Sequence, residues 1–231
     1  SPSGQRKVVL STNVAETSIT IEDVRVVIDS GQARIARYDE RRGLNGLHTE
    51  MISAASAEQR RGRAGRTQPG SCYRLWGESR QTALKPFNDP EILTTDLQPV
   101  ALELAQWGVT DITSLTLLDT PPTERLQRAR EGLQQLGALR PDGNITPLGR
   151  KLSLLGLPPR LAALVWACHG SPAEAEAISC AAILSEGDPL RRNNDHFQSD
   201  LHLRLEWMKN GNRKGSPSRL HALRAQLHKR L

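Results

Sequence analysis

Gln59-Arg60-Arg61-Gly62-Arg63-Ala64-Gly65-Arg66 holds four arginines and two glycines in eight residues. On a helix opening at Ser56, residues 59/60, 63 and 66 fall on one face. Each glycine costs such a helix about 1 kcal/mol relative to alanine. A run that breaks a local rule twice in four residues does so for close packing or for function. Glycine lets the backbone approach a partner surface, while arginine projects a rigid, always-charged fork suited to phosphate. The pattern therefore points to phosphate chemistry. For Gln59 a local role stays open, because Ser56-x-x-Gln59 also fits a helix capping box.

The flanking text supplies the frame for this run. Lys7–Thr12 and Val24–Ser30 are β-branched runs with little alternation, the pattern of parallel strands buried on both faces. The polar stretch from Asn13 to Asp23 follows the first strand directly, and ligand loops of open α/β sheets sit at strand carboxyl ends. Ala33–Tyr38 and Leu47–Ser53, parted by a Gly-containing turn, predict a β-hairpin. Ser71–Trp76 alternates like a last strand.

After about residue 90 the sequence turns helical. Helices are predicted from Thr95 to Trp107, closed by Gly108, and from Thr120-Pro121 to Gly137, with Leu126, Ala129, Leu133 and Leu136 on one face. Ala138–Arg140, Pro141-Asp142-Gly143-Asn144 and Ile145 read as strand, turn and strand, and Thr146-Pro147 opens a third helix. Helix, helix and a small hairpin make a winged-helix-like unit. Further helices are predicted at Pro159, at Ser171-Pro172, near Asp195 and at Ser216-Pro217, forming a small bundle.

Composition narrows the class. The 37% hydrophobic fraction together with 18 Gly in 231 residues lies at the low end of globular usage, which excludes collagen, low-complexity disorder and a disulfide scaffold. The longest apolar run, Leu161–Cys168, is far short of the ~20 residues a membrane span needs. Cys72, Cys168 and Cys180 form no C-x-x-C pair, so free thiols and a cytoplasmic location are expected. His196, His202, His221 and His228 crowd the C-terminus without ligand spacing, and no metal site is expected from them.

The net charge of +6 is uneven. Residues 201–231 carry eight basic groups and one acidic, against 12 basic and 16 acidic in residues 71–200. A basic tail suits a polyanion, although a solvated helix face would look the same.

The arginine–glycine run and Thr12-Asn13-Val14-Ala15-Glu16-Thr17-Ser18-Ile19-Thr20 together resemble motifs VI and V of superfamily 2 helicases, specifically the DEAH-box group. Leu104–Gly108, Leu118–Pro122, Leu136–Leu139 and Pro158–Ala162 extend the resemblance over essentially the whole chain. The resemblance implies an α/β followed by all-α fold: half of a second RecA-like P-loop NTPase lobe over residues 1–90, a winged-helix domain over 91–157 and a ratchet-like bundle over 158–231. It implies an ATP-dependent RNA helicase, with Arg63 and Arg66 as arginine fingers and Gln59 beside the γ-phosphate and attacking water. Asn13 and Ser18 would sense the nucleotide and its metal-bound water, Glu22 would lie near the ribose, and Arg60, grouped with them, would more readily support the helix or its loop. Thr20 would contact the RNA backbone, as would Arg41 and Arg42 at the tip of a strand-separating hairpin. An ordinary surface hairpin remains open there, and Asp29 reads as structural.

The departures from the family pattern matter as much. No G-x-x-x-x-G-K-[ST] loop and no D-E-x-H tetrad occurs, so the groups that hold ATP with Mg²⁺ are expected in another lobe of the same polypeptide. The sequence starts one strand before motif V and stops within the amphipathic pattern Leu220, Leu223, Leu227, as an internal piece of a longer enzyme would. The expected partners are single-stranded RNA, ATP and the remaining lobe in cis, with no membrane. A winged-helix nucleic-acid-binding module without catalysis is the alternative; two nucleotide-reading motifs argue against it.

Overall fold

Two short parallel strands, β1 (Val26–Asp29) and β4 (Ser71–Arg74), pair in the register Val26↔Ser71 through Asp29↔Arg74. Between them in sequence, β2 (Gln32–Asp39) and β3 (Leu44–Met51) form an antiparallel hairpin running from Gln32↔Met51 to Asp39↔Leu44. These elements come from a computed structural model that describes residues 7–17, 21–39, 43–66, 68–186, 201–209 and 218–231. The chain divides into two compact units, Ser1–Thr95 and Asp96–Leu231.

In the first unit the predicted strand over Lys7–Thr12 does not form. Val8 and Leu10 are 78% and 94% exposed, and no described strand lies beside them. A β-branched run of this kind is held in a sheet only when neighbours cover both its faces and its edges. The short helix α1 (Val14–Thr17) follows this segment.

Helix α2 (Ala54–Arg61) begins earlier than Ser56 and ends earlier than the motif. Ser53 is its cap, accepting the Ser56 N–H at 3.1 Å, so the Ser56–Gln59 capping box is not used. The two N–H groups at its start, on Ala54 and Ala55, donate to the carbonyls of Lys85 and Pro86. Gly62 closes the helix, and the Arg63 and Ala64 N–H groups reach back only three residues, to Arg60 and Arg61. Arg63 and Arg66 therefore sit on the tightened turn after the helix, where glycine's low helix propensity ends it. The chain then returns to β4 through Gly70, where a Cβ would collide with the carbonyl oxygens of Ala64 and Arg25.

The hairpin is strapped along its length. Arg37 forms a bidentate pair with Glu50 and approaches Asp89 at 3.7 Å, and the Tyr38 N–H donates to the Thr94 carbonyl. The predicted tip residues Arg41 and Arg42 lie outside the described residues. Beyond the hairpin, α3 (Glu78–Thr82) links β4 to the rest of this unit.

The second unit is helical around buried, mostly aliphatic side chains. Helix α4 (Gln98–Gln106) starts three residues after Thr95, with the Asp96 carboxylate accepting the Gln98 N–H at 3.0 Å. Helix α5 (Thr123–Gln135) buries Leu126, Ala129 and Leu133 on the predicted face and starts just after Thr120-Pro121. Gly137 adopts φ +70° beyond its end, a conformation glycine takes freely. Leu139 bridges Ile145 in antiparallel fashion as the small wing. Thr146 then caps α6 (Pro147–Leu154) by accepting the Gly149 N–H at 2.9 Å, as the Thr-Pro pair predicts.

Helix α7 (Pro159–Ala167) opens at its predicted proline, and α8 (Glu174–Glu186) opens slightly after Ser171-Pro172. The predicted starts near Asp195 and at Ser216-Pro217 fall outside the described residues; α9 (Leu201–Lys209) and α10 (Ser218–Arg230) follow them. Ala182, Ile183, Met208 and Leu220 form the core joining α8, α9 and α10.

Candidate functional site

Two short segments build the site: the α1 turn, and the end of α2 with the turn that follows it. A cleft of about 320 Å³ is lined by Glu16, Thr17, Gln59, Gly62, Arg63 and Arg66. Three of the residues singled out in sequence, Gln59, Arg63 and Arg66, thus share one wall system although only Gln59 lies on the helix.

Arg60 has a different position. It does not line the cleft. Its Nε donates to Glu16 Oε2 at 3.1 Å, and its Nη1 donates to Asp29 Oδ1 at 2.9 Å and to the Gln32 carbonyl at 3.2 Å. The three side chains are 14%, 12% and 2% exposed for Arg60, Glu16 and Asp29. Asp29 Oδ1 also accepts the Gly31 N–H at 2.9 Å, while Oδ2 is buried without a protein partner. This node ties the α1 turn, the end of β1, the start of β2 and α2 together through one guanidinium.

Arg63 donates from Nη2 to the main-chain carbonyl of Glu16. Glu16 thereby meets two arginines, one through its carboxylate and one through its backbone. Sequence reasoning assigned Glu16 no role. The signal was a carboxylate in the polar loop between two strand-like runs, opposite in charge to the arginine-rich run.

The remaining predicted residues lie elsewhere. Asn13 is exposed, and its carbonyl accepts the Glu16 N–H at 2.9 Å, shaping the α1 turn; its side chain does not line the cleft. Glu22 is exposed in a turn and is also absent from the lining. Ser18 and Thr20 lie outside the described residues.

The donor set fits a phosphate group. Two guanidinium side chains and one carboxamide converge on the cleft, and Arg60 engages the nearby Glu16 carboxylate that would otherwise repel an anion. The set does not fit a metal: among the described residues no three His, Cys, Asp or Glu come together as ligands. A second ionic cluster, Arg61–Glu58–Arg74, braces the outer side of α2, and both arginines hold the Glu58 carboxyl below its usual range, Arg74 foremost.

Residues 1–68 match the helicase conserved C-terminal domain, and residues 129–157 match the winged-helix of the helicase associated domain HA2. The chain is 44% identical to the ATP-dependent RNA helicase HrpB of Escherichia coli over 194 residues, covering 84% of this chain and 24% of that protein. It is 41% identical to the E. coli ATP-dependent RNA helicase HrpA, covering 84% of this chain and 15% of that one. The crystal structure of the E. coli DEAH/RHA helicase HrpB superposes with a TM-score of 0.84 at 40% identity, over 100% of this chain and 28% of that one. The chain thus spans about a quarter or less of the length of these curated relatives. Among the described residues no helix is long and apolar enough to cross a membrane.

Proposed function

We propose that this chain, which corresponds to the C-terminal region of the DEAH/RHA helicase family, supplies the arginine side of the ATP site in an ATP-driven RNA helicase. The observation that carries this reading is the single cleft in which Gln59, Arg63 and Arg66 converge beside Glu16 and Thr17. Arg63 and Arg66 would hold the oxygens of the terminal phosphate and neutralise charge as it transfers. Arginines in that role contribute about 10³–10⁵ in rate in comparable NTPases. Gln59 would orient the attacking water. ATP supplies the phosphoryl group whose transfer to water drives the cycle.

Asn13, Ser18 and Glu22 would read the nucleotide from the segment around α1. Thr20, with Arg41 and Arg42 of the predicted turn, would contact RNA phosphates. The ligands for Mg²⁺ would come from the remaining lobe in cis, since this sequence holds neither G-x-x-x-x-G-K-[ST] nor D-E-x-H. Residues 91–157 and 158–231 would act as winged helix and bundle to guide single-stranded RNA, aided by the basic tail. Such phosphate-dominated binding is salt-dependent and tolerant of sequence. A cytoplasmic site of action accords with this chemistry.

Two measurements test the reading. The isolated 231-residue chain is expected to hydrolyse no ATP, with or without RNA. In the complete helicase, Arg66→Ala is expected to lower ATP turnover by about 10³-fold with RNA affinity nearly unchanged. Turnover by the isolated chain overturns the reading that the rest of the ATP site lies in another lobe, and normal turnover by the variant removes Arg66 from the finger role.

A further inference from the structure

We infer that Glu16 is a positioning residue that sets the cleft arginine Arg63, with Arg60 as its fixed anchor. The inference rests on the proposal that Arg63 and Arg66 face a phosphate. Its independent support is the double engagement of Glu16. Its carboxylate receives Arg60 Nε at 3.1 Å, and its main-chain carbonyl receives Arg63 Nη2. One residue of a four-residue helix therefore holds both the arginine inside α2 and the arginine just beyond it.

The two contacts differ in kind, and the difference assigns their roles. A carboxylate only 12% exposed cannot be left without its cation, so the Glu16–Arg60 pair is costly to separate. Arg60 is held again by Asp29 Oδ1 at 2.9 Å and by the Gln32 carbonyl, which fixes it from the opposite side. Arg63 instead donates to a neutral carbonyl. A phosphate oxygen forms a charge-assisted bond roughly twice as strong as a neutral one, so Arg63 can exchange Glu16 for phosphate while Arg60 stays. Glu16 then sets where the exchange begins. A shift of the α1 turn moves the cleft wall and the Arg63 acceptor together, because Glu16 and Thr17 line the cleft.

The test uses the complete helicase carrying Glu16→Gln, Glu16→Asp, Arg60→Gln and the double substitution Glu16→Gln with Arg60→Gln. The kcat and KM for ATP are normalised to folded protein and read well below each Tm. Glu16→Gln is expected to lower kcat about 10- to 100-fold, the range that an ångström of misplacement costs, with KM for ATP within about twofold. Glu16→Asp, which retains the charge, is expected to recover part of that loss. The double variant is expected to be no slower than the worse single, since both act through one contact. Unchanged kcat per folded molecule with a lowered Tm would make Glu16 merely structural and overturn the inference, as would single-variant losses that multiply. Should Arg60→Gln not fold, Arg60→Lys carries the same cycle with the charge retained. If Arg66→Ala is slow while Glu16→Gln is normal, the inference fails and the function stands. If Arg66→Ala is also normal, the function fails first.

Discussion

Residues up to Thr95 and residues from Asp96 onward are held together by different physics. In the first unit the buried apolar residues are small or few, Ile52, Ala57 and Ala64, and much of the order comes from arginine. Arg60 binds Glu16 and Asp29, Arg37 binds Glu50, and Arg74 and Arg61 bind Glu58. Val26, Ile28 and Tyr73 of its sheet remain exposed. In the second unit the buried residues are mostly large and aliphatic, among them Leu133, Leu152, Leu155, Ile178, Leu220 and Leu227. The contrast teaches where each unit can change. Carbonyl contacts and exposed ion pairs can exchange partners where the buried Arg60 pairs cannot, and interdigitated leucines cannot move without opening a void.

The contrast breaks if the wrong substitution dominates in either unit. Leu133→Ala is expected to have the largest effect, about 2–5 kcal/mol, confined to the second unit, because it leaves a cavity where the side chain was fully buried. Hydrogen exchange of α5 amides reads this directly; an equal loss of protection in β1 would mean that the units share one core. Arg60→Ala is next, at about 3 kcal/mol in the first unit, because it strands the buried Asp29 carboxylate and the nearly buried Glu16. Protection of β1 and α2 amides checks it, and a loss under the error of the method would show that arginine does not carry this unit.

Acid gives the smallest and most discriminating effect, because the sign differs between the units. The Arg37 hydrogen bonds hold Glu50 below its usual range. Its contribution is present above the unfolded value of about 4.3 and is lost as pH falls through the lower folded value. Asp96 is shifted upward by burial, against weaker opposition from the Gln98 N–H, Arg160 and Arg125. It subtracts stability at neutral pH and returns it as pH falls through the raised value toward about 3.9. Glu50→Gln is therefore expected to weaken the hairpin at neutral pH, while Asp96→Asn strengthens the start of α4. Urea unfolding at pH 7 and pH 4 reads both. Changes of the same sign would refute the assignment.

Much of the second unit was legible from local rules. Thr146-Pro147 carries its own cap and a preset φ, and Gly137 marks a helix end with the one residue type that takes positive φ freely. The hairpin of β2 and β3 was also readable, since its turn and β-prone flanks lie within one stretch. The first unit misled at the points where distant chain intervened. Ser53 caps α2 in place of Ser56 because the carbonyls of Lys85 and Pro86 satisfy the next two N–H groups, and nothing near Ser53 announces them. The spacing predicts a helix through Arg66 because spacing alone cannot tell a continued helix from a tightened turn. Gln59, Arg63 and Arg66 nevertheless came together as a set.

What the sequence determined by itself was the set of chemical types: a run of arginines relieved by glycines, one apolar strand run beside it at Val24–Ser30, and a helical second half. Those follow from periodicity and from the conformational limits of Gly and Pro, which act over a few residues. The resemblance set Arg60 apart from Arg63 and Arg66, but only the tertiary structure decided which partners hold Arg60 away from the cleft. Arg60 and Arg63 are the same residue type three positions apart, and nothing local separates them. Their difference arises from Glu16 and Asp29, brought 44 and 31 residues through the chain to one guanidinium. A charge has no role until its partner has a place, and placing the partner is the work of the fold.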